Sequence, residues 1–173
     1  MTTTTSVAAA TAKSVDPAIF REAMTRFASG VTIVTTVDSE GRSHGFTATA
    51  FSSVSATPPL VLVCLDKSAR CHPEFLRATE YSISILRSEH WDIAMRFASK
   101  IDDKFTSGFV SNEYGLSHLP DALVSLVCLP EQVIDAGDHT VLIGRVVSVE
   151  LGDGAPAVFY GRKARELRDE QSF

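Results

Sequence analysis

The sequence predicts a mainly β domain: an antiparallel barrel, closed or nearly closed, with a few peripheral helices. Three observations predict it. About six or seven β-rich segments arrive in hairpin order, separated by turn signals such as DSEGR (38–42), TPP (57–59) and GDGAP (152–156). Only two or three helical patterns interrupt them, without the regular alternation that a doubly wound parallel sheet needs. The chain has 173 residues, 45% of them hydrophobic, which supplies one domain core and falls short of two.

Residues 1–15 are polar and small and lack the charged and then apolar regions of a secretory signal, so they read as a disordered leader to the domain, 16–161. Asp16-Pro17 is an N-cap followed by proline at the first helical position; Phe20, Ala23, Met24 and Phe27 continue at helical spacing towards Gly30. GVTIVTTV (30–37) is a β-branched strand. GFTATAFSSVS (45–55) reads as one strand built largely from small residues, and PLVLVCL (59–65) as a fully apolar one. Pro73 sits near the start of a short helix over 72–79, and YSISIL (81–86) alternates like a half-buried strand. SEHWDIAMRFASK (88–100) is an amphipathic helix with Trp91, Ala94, Met95 and Ala98 on one face. Residues 101–120 look irregular. ALVSLVCL (122–129), HTVLIGRVVSVEL (139–151) and AVFY (157–160) are further strands, with Gly144 a candidate bulge. Residues 162–173 read as a charged tail.

Several classes of function are disfavoured. A formal net charge of −5 argues against general affinity for nucleic acid or an anionic membrane surface, and no apolar run approaches the roughly 20 residues of a membrane helix. Cys64, Cys71 and Cys128 are odd in number and form no CxxC pair, as expected of reduced thiols in a cytoplasmic protein. The five histidines share no metal-ligand spacing, so no metal is expected. No GxGxxG opens a helix, and P-loop, HExxH and GxSxG patterns are absent.

Three stretches carry chemistry. The small strand 45–55 exposes backbone N–H and C=O groups, and Thr47, Thr49, Ser52 and Ser53 add hydroxyls, so a flat aromatic ring such as an isoalloxazine can lie against it. The same composition suits a strand packed tightly on a helix or at a subunit contact. The loop DKSARC (66–71) offers Lys67, Ser68 and Arg70 to a phosphate, and Arg96, Lys100 and Lys104 add positive charge nearby. Gly137-Asp138-His139 puts an imidazole at the start of a long strand, at the barrel rim.

Together these motifs resemble the flavin reductase-like family with the FMN-binding split-barrel fold, and within it the short-chain NAD(P)H:flavin oxidoreductases of two-component monooxygenases. The resemblance runs from about Phe20 to Tyr160 through FASGVTIVTT, GFTATAFSSVSATPPLVLVCLDKSAR, RFASKIDDKF and GDHTVLIGRVVSV. It implies an antiparallel split β-barrel and a homodimer. FMN or FAD would be held by Gly45, Phe46, Thr47, Thr49 and Ala50 along the ring and ribityl chain. Cys64, Leu65 and Asp66 would lie beside the flavin, and Ser68, Arg70 and Cys71 would form the phosphate loop. Cys71 stands where the family usually has a hydroxyl residue. Arg96, Phe97 and Tyr160 match positions near the flavin, and Asp138 and His139 match the motif whose histidine is implicated in nicotinamide binding. The implied activity is hydride transfer from NADH or NADPH to the flavin, which then serves a separate flavin-dependent monooxygenase. A flavin-binding electron carrier without nicotinamide turnover is the alternative, and an oxidase of the pyridoxamine-phosphate type a weaker third reading.

Overall fold

The computed structural model describes residues 14–167, so most of the expected leader and the last residues of the tail lie outside the described residues. Asp16 caps α1 (Pro17–Met24), its Oδ1 accepting from the Ala18 amide at 2.6 Å. The helix stops short of Gly30, because the Thr25 amide and hydroxyl turn back onto the Arg21 and Glu22 carbonyls. None of its residues is buried.

Twelve strands follow among the described residues: β1 (Ser29–Gly30), β2 (Thr32–Val37), β3 (Ser43–Ala48), β4 (Phe51–Ala56), β5 (Pro59–Asp66), β6 (Tyr81–Ile85), β7 (Val110–Ser111), β8 (Ser117–His118), β9 (Val124–Ala136), β10 (His139–Leu151), β11 (Val158–Tyr160) and β12 (Lys163–Arg165). Helix α2 (His72–Arg77) lies between β5 and β6, and a 3-10 turn (Ser88–His90) leads into α3 (Trp91–Ala98). Seven strands form one antiparallel sheet in the order β3-β2-β6-β9-β10-β5-β4. Its edge strands, β3 and β4, are joined by only Thr49 and Ala50, so the sheet has to curl on itself. The Cys64 amide bonds the Ala50 carbonyl at 3.0 Å across this corner, yet no ladder joins β3 to β4. The result is the split antiparallel barrel expected from the sequence.

Two cores hold it. Inside the barrel, Val34, Phe46, Val63, Leu65, Tyr81, Ile83 and Leu142 pack with Phe75 of α2, whose ring meets Phe46 edge-on at 5.0 Å. Outside, α3 covers Val31, Ile33 and Leu86 with Ala94 and Phe97, and Phe97, Phe105 and Phe109 pack with centroids 4.9, 5.0 and 5.1 Å apart.

Several local expectations are corrected. The small stretch 45–55 is two strands broken at Thr49-Ala50. YSISIL is buried on both faces: Ser82 Oγ donates to the Leu126 carbonyl at 3.1 Å, and Ser84 Oγ accepts from the Leu119 amide at 3.2 Å. On α3 the buried side chains are Ala94 and Phe97, whereas Met95 is 64% exposed. Segment 101–120 contains the short β7–β8 hairpin, and Lys163–Arg165 of the tail pairs with β11.

The bulge at Gly144 is present, as a register shift between Ile143 and Gly144. A Cβ there would lie 2.0 Å from the Tyr81 hydroxyl, a buried group with no hydrogen-bond partner among the described residues. Gly144→Ala is expected to cost roughly 1–3 kcal/mol by overpacking. Tyr81→Phe should leave stability unchanged or raised, because it removes an unsatisfied polar atom. In the double variant Tyr81→Phe should recover part of the Gly144→Ala loss, and urea unfolding midpoints check all three.

Candidate active site

A cleft of about 720 Å³ opens where β3 passes into β4. Its walls are the β3–β4 corner, the end of β5 with the loop 66–71, and the segment 97–105 that closes α3; His139 of β10 adds to the rim. The structure brings Gly45, Phe46, Thr47, Thr49, Ala50, Cys64, Leu65, Asp66, Ser68, Arg70, Cys71, Phe97 and His139 together around it. Arg96, Asp138 and Tyr160 do not line it. The Arg96 guanidinium staples the following loop, donating to Thr106 Oγ1 at 2.6 Å and to the Ser107 carbonyl at 3.3 Å. Tyr160 lies in the separate sheet β1-β11-β12, paired with Lys163.

The small residues of β3 do two jobs. Phe46 and Ala48 point into the barrel core. Gly45 and Thr47, on the other face, receive α3: a Cβ at position 45 would sit 2.8 Å from Phe97 Cε1 and 2.9 Å from the Val34 carbonyl oxygen. Thr47 Oγ1 donates to the Ala94 carbonyl at 2.6 Å, tying the helix to the strand. Beyond this seat Thr49 and Ala50 are exposed, and their backbone edges the cleft. Both properties read from the stretch, a helix seat and an open backbone, therefore occur in it one after the other.

The loop after β5 is a tight turn. Asp66 Oδ1 accepts from the Ser68 amide at 2.7 Å, and that bond holds its carboxyl below the ordinary range. Lys67 turns away from the cleft, contrary to the sequence reading of this loop: its Nζ donates to the Gly137 carbonyl at 2.6 Å and pairs with Asp135. Arg70 forms an ion pair with Asp102 on the opposite wall. Burial pushes the Cys64 and Cys71 thiols up, for Cys71 against the charge of Lys104, so both stay protonated near neutral pH.

Lys104 is half-buried, and its Nζ donates to the Phe97 carbonyl at 2.7 Å. Burial pulls its ammonium pKa down, the charge of Arg70 adds to that, and Cys71 opposes it. It has no carboxylate partner among the described residues. His139 Nδ1 lies 2.7 Å from Oδ1 of the exposed Asp138, and this bond lowers the Asp138 pKa. Sequence reasoning missed Ser99, at the end of the stretch read as a helix, and Ile101, Asp102 and Phe105, in the segment read as irregular, all of which line the cleft. The signal available was the charged and aromatic run KIDDKF directly after an amphipathic helix. A smaller cleft of about 360 Å³, among Asn112, Glu113, Tyr114, His118, Ser125 and Glu150, contains none of the residues singled out from the sequence.

A split antiparallel barrel with backbone edges and cations around one rim cleft defines a class of domain suited to a flat aromatic ligand with an anionic tail. The chain belongs to the flavin reductase like domain family, whose profile matches residues 24–168. It is 44% identical over 154 residues to the actinorhodin polyketide dimerase of Streptomyces coelicolor, covering 88% of this chain and 87% of that one. It is 41% identical over 170 residues to an NADH-dependent flavin reductase of a Rhodococcus species, covering 92% and 96%. A flavin-dependent monooxygenase reductase subunit of Rhodococcus jostii is 35% identical, covering 92% and 83%. Among solved structures, the Streptomyces globisporus NADH:FAD oxidoreductase in complex with NAD and FAD fragments superposes with a TM-score of 0.85 at 30% identity, covering 93% of this chain and 100% of that one.

Gly45→Ala should displace Phe97 and loosen α3, costing roughly 1–3 kcal/mol as overpacking does. Because the displaced segment is a wall of the cleft, the variant should also bind flavin more weakly. Thermal unfolding and flavin fluorescence titration measure the two effects on one sample.

Proposed function

We propose that the protein is an NAD(P)H-dependent flavin reductase that transfers hydride from a reduced nicotinamide to FMN or FAD and delivers the reduced flavin to a separate flavin-dependent monooxygenase. The observation that carries this reading is the rim cleft itself, where the open backbone of Thr49 and Ala50 shares one space with Arg70 on the second wall and Lys104 on the third, and with His139 at the rim. The names of the relatives favour NADH as the reductant.

The cleft fits such a ligand. Its volume lies within the range of small-molecule sites, about 300–1,000 Å³. Thr49, Ala50, Cys64 and Leu65 would hold the ring, and Ser68, Arg70 and Lys104 the phosphate. The flavin supplies N5 as the acceptor of hydride from nicotinamide C4. The protein contributes orientation and fixed charge, with no side chain required as acid or base. The Asp138 carboxylate can only accept, so it keeps the Nδ1 proton of His139 directed at itself. Nε2 is then the ring nitrogen left to accept from the carboxamide of a nicotinamide.

A homodimer accounts for the apolar side chains that one chain leaves exposed. Ile19, Phe20 and Met24 of α1 are each more than half exposed. Three free thiols suit a reducing cytoplasm, and no helix among the described residues is long and apolar enough to cross a membrane.

The decisive assay follows NADH absorbance with purified protein, with and without added FMN or FAD. Oxidation that depends on added flavin is the expected result. Flavin binding without oxidation of NADH or NADPH would identify an electron carrier instead. His139→Ala should raise KM for NADH roughly tenfold, the loss of one hydrogen bond of about 1.4 kcal/mol. Its flavin affinity should be kept. Unchanged steady-state and hydride-transfer kinetics would remove His139 from the nicotinamide site.

A further inference from the structure

Arg70 and Asp102 meet across the mouth of the cleft from two different loops. Arg70 sits in the turn after β5, and Asp102 lies beyond the end of α3; Nη1 of one contacts Oδ1 of the other. Both side chains are exposed, 66% and 93%. Asp66, the other carboxylate on the cleft wall, is held by a backbone amide of its own turn. The Asp102 carboxylate has no partner but Arg70 among the described residues. Of the cations lining the cleft, Arg70, Lys100 and Lys104, only Arg70 carries an ion pair among those residues.

We propose that Asp102 is a specificity-determining residue: its carboxylate occupies Arg70 until the phosphate of an incoming flavin displaces it. The inference rests on the reading of this cleft as the flavin site. Exposed ion pairs are weak, because water and salt screen them and both side chains lose freedom on pairing. A phosphate monoester, with a charge of about −1.5 to −2 and three acceptor oxygens, is the stronger partner for a guanidinium. The pair therefore lowers phosphate affinity without blocking it. After displacement, the Asp102 charge stays close to the bound phosphate and repels it, which speeds release. Riboflavin has no phosphate, so it leaves the pair intact and does not sense Asp102. Lys104, unpaired and half-buried, is the standing cation that holds a phosphate whether or not Arg70 is free.

The test compares wild type with Asp102→Asn, which removes the charge and keeps the size at a position too exposed to endanger folding. Fluorescence titration gives Kd for FMN, FAD and riboflavin at low and high salt, and stopped flow gives the release rates. The expected result for the variant is a Kd for FMN and FAD lower by roughly three- to tenfold, with slower release. Riboflavin affinity should be unchanged within about twofold, and the FMN effect should shrink at about 0.5 M salt. On an Arg70→Ala background the same substitution should tighten FMN binding less than it does in wild type, because only the direct repulsion of the phosphate is then relieved. Equal FMN affinity in variant and wild type would overturn the inference and leave the flavin site standing. So would a loss of affinity for phosphorylated flavins and riboflavin alike, which would make Asp102 a support of the bound state. Failure of wild type to bind any flavin would overturn the reading of the cleft, and this inference with it.

Discussion

The close approach of α3 to β3 is the contact on which the rest depends. It exists because position 45 has no side chain, so the Phe97 ring can settle directly on the strand. The Thr47–Ala94 hydrogen bond then fixes where the helix sits along it. From that seat Phe97 organises Phe105 and Phe109, and the aromatic cluster gives the long segment after α3 a definite course. That segment carries Asp102 and Lys104 to the cleft. A change at one glycine would thus be felt at charged groups far along the chain.

The cleft is also an electrostatic exception within an acidic protein. The chain as a whole carries −5, yet three cations line this one wall system, and one of them is partly desolvated. Burial makes the Lys104 charge more expensive to keep and less screened, so it acts over a longer reach than a solvated lysine. The two thiols nearby are pushed towards their neutral form, which leaves the local positive charge undiminished. Asp138, by contrast, is exposed and charged, and its bond to His139 lowers its pKa further.

Much of this was legible in the sequence. The strand β10 starts and ends where its hydrophobic pattern does, and the bulge at Gly144 was visible as a lone glycine in a strand. The cleft residues of β5 and β10 sit at strand ends beside turn signals, and those of β3 stood out by their small side chains. Other features were not legible, for physical reasons. Ser82 and Ser84 looked solvent-facing by alternation, but a hydroxyl can be buried once a backbone group partners it. Met95 is as apolar as Phe97, and only tertiary packing decides which of the two a glycine receives. The break at Thr49-Ala50 was hidden because both flanking halves favour extended backbone. Asp102 looked like one charge among several in an irregular run, and its partner lies 32 residues away in sequence.

The unzipped seam between β3 and β4 has a consequence for how the molecule holds together during use. Edge strands leave backbone groups that no neighbouring strand satisfies. A ligand seated at the corner bridges β3, the end of β5 and the segment after α3, so occupancy and cohesion of the barrel are thermodynamically linked. A protein that hands its ligand on after every cycle surrenders that reinforcement each time. Its resting integrity must come from elsewhere, and the buried barrel core and the seat beneath α3 are where the structure provides it.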